Sequence, residues 1–312
     1  MNGQALIADR GNRMELAIAA QAGGVDWVAV SRMATLRLAS GGSSAWVQMR
    51  GSANAVSREG RFVLRAGDWI AFDRESAPEI QADRHGTTLG IVVAPVTRCP
   101  ELPPGRGRLS HADLRIALRL WRAGRDFATG HEDVPGQAAR WMEALSAACH
   151  GGGQGRELGR CPGRSARRKQ QVYARLQRAR LYLEGNRHRV VRLGELAELT
   201  SFSSWYLSKT FHEIYDESPQ AASVRLRLEH ACELLSETDL AIGEIGAACG
   251  FENNCSFARA FRKRYGMSAS GYRRYRTLAP KPARAGAALR VAASPQRQRH
   301  RRRNVAVALT RR

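Results

Sequence analysis

The chain has 312 residues, with 50 Lys+Arg against 28 Asp+Glu, a net charge of +22 and a hydrophobic share of 43%. That length suits two domains with separate cores, and the apolar share excludes a chain that is disordered throughout. The charge is split: residues 1–150 hold 18 basic and 15 acidic residues and the remainder 32 and 13, so the C-terminal half is the one suited to a polyanion.

Only four of the fifty basic residues are Lys. A coding bias accounts for Arg over Lys, but not for an excess that avoids the first half. The six cysteines (Cys99, Cys149, Cys161, Cys232, Cys249, Cys255) form no CxxC pair and no spacing with His that suits zinc. They read as reduced thiols of an intracellular protein. The first twenty residues lack a basic segment followed by an apolar core, so no signal peptide is expected. Apolar runs such as LGIVVAPV (89–96) are far short of a membrane span. The expectation is a soluble, cytoplasmic protein without membrane contact.

Residues 25–97 read as short strands broken by Gly/Ser turns, as in VDWVAV (25–30) and AWVQM (45–49). RFVLR and WIAFD flank Ala66-Gly67-Asp68, a turn signal between strands, and the whole suits a sandwich or small barrel. From about 109 the period becomes helical. Leu109, Leu114, Leu118, Trp121, Trp141 and Leu145 predict two amphipathic helices around GHEDVPG (130–136), which either cover the β domain or pair with a second copy. Residues 151–172 are glycine-rich, basic and without periodicity, and read as a flexible linker. Helices follow to about 278. The segment 279–312 carries ten basic residues and no acidic ones, and reads as a disordered tail.

The helical region contains one pattern twice. LGELAELTSFSSWYLSKTFHEIYDES (193–218) matches IGEIGAACGFENNCSFARAFRKRYGMS (242–268), at an offset of 49 at the start and 50 at the end. The shared skeleton is Leu193/Ile242, Leu196/Ile245, Ala197/Gly246, Phe202/Phe251, Leu207/Phe257, Phe211/Phe261 and Tyr215/Tyr265. Each copy reads as helix, tight turn, helix, with a small residue where the two helices cross. If Leu207 and Phe211 face the core, then Trp205, Ser208, Lys209 and His212 form an outer stripe. If Phe257 and Phe261 do, the stripe is Cys255, Ala258, Arg259 and Arg262. A helix in a major groove needs that division of apolar anchors behind and donors and small residues in front. The joining segment 219–237 reads as one helix buried along Val224, Leu228, Ala231 and Leu235, with Thr238 and Asp239 as caps for the next helix.

ELLSETDLAIGEIGAACGFENNCSFARAFRKRYGMS looks very much like the signature of the AraC/XylS family of bacterial transcription regulators, over about residues 173–276. The resemblance implies two helix-turn-helix units joined by a long helix, with base contacts at Trp205, Ser208, Lys209, Asn254, Cys255, Ser256 and Arg259. The N-terminal half resembles the family's cupin-like sensing domain through VLRAGDWIAFD (63–73). The chain departs from the family at Ser201 and Asp216, where Gly is usual, near Ala222, where an apolar or aromatic residue is usual, and at Ala269, where Pro is usual. The first unit is therefore expected to be looser, or its target contacts weaker.

The fold expected is thus α+β: a cupin-like β domain with appended helices (1–150), the linker, an all-α double helix-turn-helix domain (173–278) and the tail. Only His85 lies in the β region, followed by His111 and His131, with no HxH. A metal-dependent cupin-type enzyme fused to a DNA-binding domain therefore lacks its ligands, and no metal, cofactor or catalytic residue is expected. Trp27, Trp46, Trp69 and Phe72 are the candidate lining of an effector pocket. Expected partners are double-stranded DNA, a small organic effector, RNA polymerase and a second copy through residues 109–149. The function expected is an effector-responsive activator, against a DNA binder that needs no small molecule.

Overall fold

The computed structural model describes residues 5–17, 24–39, 41–95, 97, 102–128, 134–150 and 154–278. The expected tail and His131 lie outside these residues. Strands β1 (Ala5–Ala8), β2 (Arg13–Leu16), β3 (Val25–Ser31), β4 (Thr35–Leu38), β5 (Ser43–Arg50) and β6 (Ser52–Ser57) are followed by β7 (Gly60–Arg65), β8 (Asp68–Phe72), β9 (Glu79–Ala82), β10 (Thr87–Val93) and β11 (Gly105–Arg108). They form two sheets in the orders β1-β3-β10-β5-β8-β11 and β2-β4-β9-β6-β7. β1–β3 and β2–β4 pair in parallel and the other pairs are antiparallel. The Ala66-Gly67 turn carries the chain from one sheet to the other, with Gly67 at φ +92° and the Asp68 carboxylate accepting from the Arg65 amide at 2.9 Å.

Alternation along the strands of the six-stranded sheet sorts its side chains into two cores. Val28, Trp46, Ile70 and Phe72 face the second sheet, where Leu36, Leu64 and Ile80 meet them. Trp27, Val47, Trp69 and Ile91 face the other way, onto helices α1 (His111–Ala128) and α2 (Val134–His150). Trp27 stands edge-on to Trp121 and Trp141, at 6.3 and 6.5 Å between ring centroids. Gly124 lets α1 approach this ring, because a Cβ there would lie 2.0 Å from Trp27 Cζ2. The apolar stripes of both helices are thus spent on the sheet, the first of the two roles expected for them.

The segment 151–172, expected as an unpatterned linker, instead contains α3 (Gln154–Arg160) and the start of α4 (Ala166–Gly185). Leu158 and Cys161 pack into the core of the helical half, a tertiary anchor that a seven-residue, glycine-bearing helix does not announce by periodicity. After α4 come α5 (Leu193–Thr200), α6 (Ser204–Tyr215), α7 (Pro219–Glu237), α8 (Ile242–Ala248), α9 (Asn254–Tyr265) and α10 (Ala269–Leu278). One core holds Leu176, Leu196, Leu207 and Phe211; a second holds Ile245, Phe257, Phe261 and Ala269. α7 serves both, lending Ala222 and Leu226 to the first and Leu228, Ala231 and Leu235 to the second. Val224, expected on its buried side, is 38% exposed.

α4 also joins the two halves. Leu181 enters the core between the sheets, and the Gly60 and Gly185 backbones approach so closely that a Cβ on Gly60 would lie 2.5 Å from the Gly185 oxygen. Beside this contact the Arg178 guanidinium meets Glu59 at 3.0 Å, Asp73 at 3.2 Å and Glu75 at 2.7 Å, with Arg178 and Glu59 both buried. Burial opposes the charge on Arg178, but Glu75, Asp73 and Glu59 outweigh it and hold its pKa above the ordinary arginine value.

Candidate nucleic-acid interface

The repeat holds down to individual hydrogen bonds. Glu195 accepts from the Arg192 amide at 2.9 Å and Glu244 from the Ala241 amide at 2.7 Å, so each unit opens on a carboxylate at the same place. This replaces Thr238 and Asp239 as the expected cap, since the Thr238 hydroxyl is bonded to the Leu234 carbonyl. The first helix of each unit closes alike: Ser201 and Gly250 donate to Glu198 and Ala247, and Phe202 and Phe251 to Ala197 and Gly246. Gly246 permits the close crossing, because a Cβ there would come within 3.2 Å of the Phe257 ring. Up to this point the offset is 49. From the N-caps onward it is 50: Ser203 accepts from Tyr206 and Asn253 from Ser256, Asp216 donates to His212 and Gly266 to Arg262. The second turn is longer by one residue, Glu252.

These caps fix the rotation of α6 and α9. Leu207, Phe211, Phe257 and Phe261 are buried, which turns the opposite stripes outward. Trp205 is 70% exposed, and the Lys209 ammonium stands 5.1 Å from the centre of its ring. His212 is exposed and Ser208 half-buried on the same side. On α9, Asn254, Cys255, Arg259 and Arg262 are exposed, and half-buried Ser256 turns its hydroxyl to the Asn253 carbonyl at 2.8 Å. Each stripe therefore offers a cation beside small or planar side chains, the set that reads base edges and phosphates. α7, about 28 Å long over its 19 residues, separates them.

The two departures from glycine, Ser201 (φ 53°) and Asp216 (φ 58°), adopt the same left-handed conformation as Gly250 (φ 72°) and Gly266 (φ 73°). Asp216 is held there by Arg160 of α3, which donates to both carboxylate oxygens at 2.9 and 3.1 Å and to the Ile214 carbonyl. Ala222 and Ala269 are buried at their positions. Of the cysteines, Cys161 and Cys249 are buried, which pushes their thiols up to about 11 and about 12 and keeps them protonated.

Two buried arginines went unnoticed in the sequence. Arg227 of α7 donates to the Cys249 and Gly250 carbonyls at 2.6 and 2.7 Å, with its guanidinium 4.1 Å from the centre of the Phe251 ring. It pins the second turn. Arg178 lies 49 positions earlier, the repeat's own offset, and reaches the Leu199 carbonyl at 3.5 Å, one residue before the position that matches Cys249, while its other donors serve the N-terminal carboxylates. The interval of 49 was the signal that would have found the pair.

The four aromatics expected to line an effector pocket are not brought together. Trp27 and Trp69 face the helices, whereas Trp46 and Phe72 lie between the sheets, and each is at most 4% exposed within a packed core. His85 and His111 are both exposed. Among the described residues no group of three or more His, Cys, Asp or Glu is placed to hold a metal ion.

Residues 196–275 match the helix-turn-helix domain family model. This region is an AraC-type helix-turn-helix domain. Similar proteins include the HTH-type transcriptional regulator CdhR of Pseudomonas aeruginosa, 34% identical over 116 residues, which are 33% of this chain and 34% of the relative. The MmsAB operon regulatory protein of the same species is 29% identical over 92 residues, 30% of each chain. Among solved structures, a probable AraC family transcriptional regulator from Rhodopseudomonas palustris is 32% identical, covering 33% of this chain and 96% of its own, with a TM-score of 0.31. The matched region thus takes in about a third of the curated relatives' length.

Proposed function

We propose that the whole chain is a sequence-specific transcriptional regulator that reads two successive major-groove faces of double-stranded DNA. The observation that carries this is the pair of exposed stripes, Trp205-Ser208-Lys209-His212 and Asn254-Cys255-Ser256-Arg259-Arg262, on helices that an internal repeat holds in equivalent positions. α7 supplies a spacing near the roughly 34 Å between groove faces on one side of the duplex. The two-sheet N-terminal region is the cupin-like sensing half, and the protein acts as an effector-responsive activator that engages RNA polymerase in the cytoplasm. Among the described residues no helix is long and apolar enough to cross a membrane. A homodimer through residues 109–149 uses the outer face of α1 around the exposed Ile116, since the inner faces of α1 and α2 are already spent.

The test is a gel-shift titration of Arg259→Ala on the site recovered by genomic DNA capture. Loss of a guanine contact costs about 1–3 kcal/mol on that site and little on unrelated DNA. Equal loss on both would make Arg259 a phosphate contact, and no loss on either would remove α9 from the interface.

A further inference from the structure

The two units differ in how the back of the second helix is covered. Continuing the offset of 50 past Tyr215/Tyr265 pairs Ala222, the fourth residue of α7, with Tyr272, the fourth residue of α10. In the second unit the Tyr272 ring closes the core, 5.7 Å from Phe261 and 5.9 Å from Tyr265 between centroids. The Tyr265 and Tyr272 hydroxyls both interact with the Cys232 thiol of α7. In the first unit Phe211 and Tyr215 pair at 4.6 Å, as Phe261 and Tyr265 do at 4.7 Å, but Ala222 offers them only a methyl group. The position matching Cys232, at the 49-residue offset of Arg178 and Arg227, is Leu183, whose side chain cannot bond a hydroxyl.

These two replacements account for a pocket of about 340 Å³ whose lining comes from α3, α4, α6, α7 and the turn between the last two. Its floor is Leu183, Phe211, Ile214, Ala222 and Leu226, all buried. Tyr215 also lines it, and the Tyr215 hydroxyl is buried without a hydrogen-bond partner among the described residues. Burial pushes that phenol well above its ordinary pKa, so it keeps its proton to donate. The charges that act on it, Arg180 and Glu157, line the same pocket. The rim cations are already engaged: Arg160 by Asp216, Arg225 by Glu217 and Glu229, and Arg180 by Glu184. Arg156 stands exposed on α3. A charged occupant would have to compete with those pairs, whereas a neutral one leaves them intact. The volume is at the low end of ligand pockets, which suits a single ring.

We infer that this pocket binds a neutral single-ring phenol, which takes the place that the Tyr272 side chain holds in the second unit and accepts a hydrogen bond from the Tyr215 hydroxyl. The site rests on the fold of the helical half alone. Its consequence rests on the proposed reading of α6 as a DNA-reading helix: the occupant packs on Phe211 and Ile214, the buried back of α6, and completes its seat.

The experiment is titration calorimetry on the full chain with 4-methylphenol, beside toluene and 4-methylbenzoate. 4-Methylphenol binds at one per chain and raises Tm by about 2–4 °C near saturation. Toluene, which lacks the acceptor, binds about 5–10-fold more weakly, and 4-methylbenzoate does not bind. Ala222→Phe fills the pocket and abolishes binding. Tyr215→Phe lowers 4-methylphenol to the affinity of toluene and keeps the unliganded Tm, because the hydroxyl it removes has no partner. Should Ala222→Phe fail to fold, Tyr215→Phe decides. Affinity for the captured DNA site rises about 5-fold with 4-methylphenol, and rises without ligand in Ala222→Phe. Binding that survives Ala222→Phe, equal binding of toluene or 4-methylbenzoate, an unchanged preference in Tyr215→Phe, or no binding overturns the site. Binding that leaves DNA affinity unchanged overturns the consequence. A chain that binds 4-methylphenol but no DNA sinks the regulator and keeps the site, whereas one that binds DNA but no 4-methylphenol sinks the site and keeps the regulator.

Discussion

Exchanging the residues at the two equivalent turns should change stability in opposite directions. Ser201 and Gly250 both sit at positive φ and make the same backbone bonds. Ser201→Gly relieves a left-handed L-residue, worth about 1–2 kcal/mol, and returns about 0.5–1 kcal/mol through the freer unfolded chain. The net expectation is a gain of about 0.5–1 kcal/mol. Gly250→Ser incurs the left-handed cost, and its Cβ would lie 2.8 Å from Arg189 Cα and 3.0 Å from the His188 oxygen. Both are backbone atoms that no rotamer change can move, which adds about 1–3 kcal/mol of overpacking. After the unfolded-chain term, a loss of about 2–4 kcal/mol remains. Urea unfolding of the full chain, followed by helical circular dichroism, measures both variants at a common slope. Changes of the same sign, or a loss below about 1 kcal/mol in Gly250→Ser, would show that the Gly250 environment gives way and that the two turns are equivalent.

Arg178→Leu strands buried Glu59 beside Asp73 and Glu75, and should cost about 3–5 kcal/mol in urea unfolding; adding Glu59→Gln should recover part of that loss rather than add to it. Glu195, held down to about 2 chiefly by its bond to Arg189, contributes stability that is fully present above about pH 5 and lost as pH falls toward 2. Glu195→Gln should therefore lose about 1–2 kcal/mol at pH 7, allowing for solvent screening, and the gap from the parent should narrow in unfolding curves as pH falls from about 5 toward 2. Gly124→Ala gains about 1 kcal/mol of helix propensity but drives a Cβ into the Trp27 ring, for a net loss of about 1–2 kcal/mol in thermal unfolding.

The helical half was legible because its skeleton is written twice. One amphipathic helix leaves its outer face undetermined, whereas two copies fix which residues are anchors, and every stripe residue so assigned is exposed or half-exposed. The N-terminal half was legible only as strands and covering helices. Trp69 and Phe72 are three apart on β8, so strand alternation puts them on opposite faces, and the expected pocket contradicted its own secondary structure. α3 was hidden for another reason: its support is tertiary, from Leu158 in a core and Arg160 on Asp216. That contact also shows how the first unit carries a non-glycine at a left-handed cap.

Arg178 and Arg227 show what the two copies have come to do differently. Both are buried, both lie one repeat apart, and both point at the end of a first helix. Arg227 is bonded to its turn at 2.6 and 2.7 Å, and burial without a carboxylate partner lowers its pKa. The second turn is therefore held from within the helical half, by an arginine that meets no carboxylate of the N-terminal half among the described residues. Arg178 is drawn from its turn to 3.5 Å by three carboxylates of the β domain. Any shift of those carboxylates changes how firmly the first turn is held, while Arg227 makes no such connection among the described residues. Under the proposed function the second unit supplies constant affinity and the first the variable part, and regulation is then expected at the half-site assigned by that proposal to Trp205, Ser208 and Lys209.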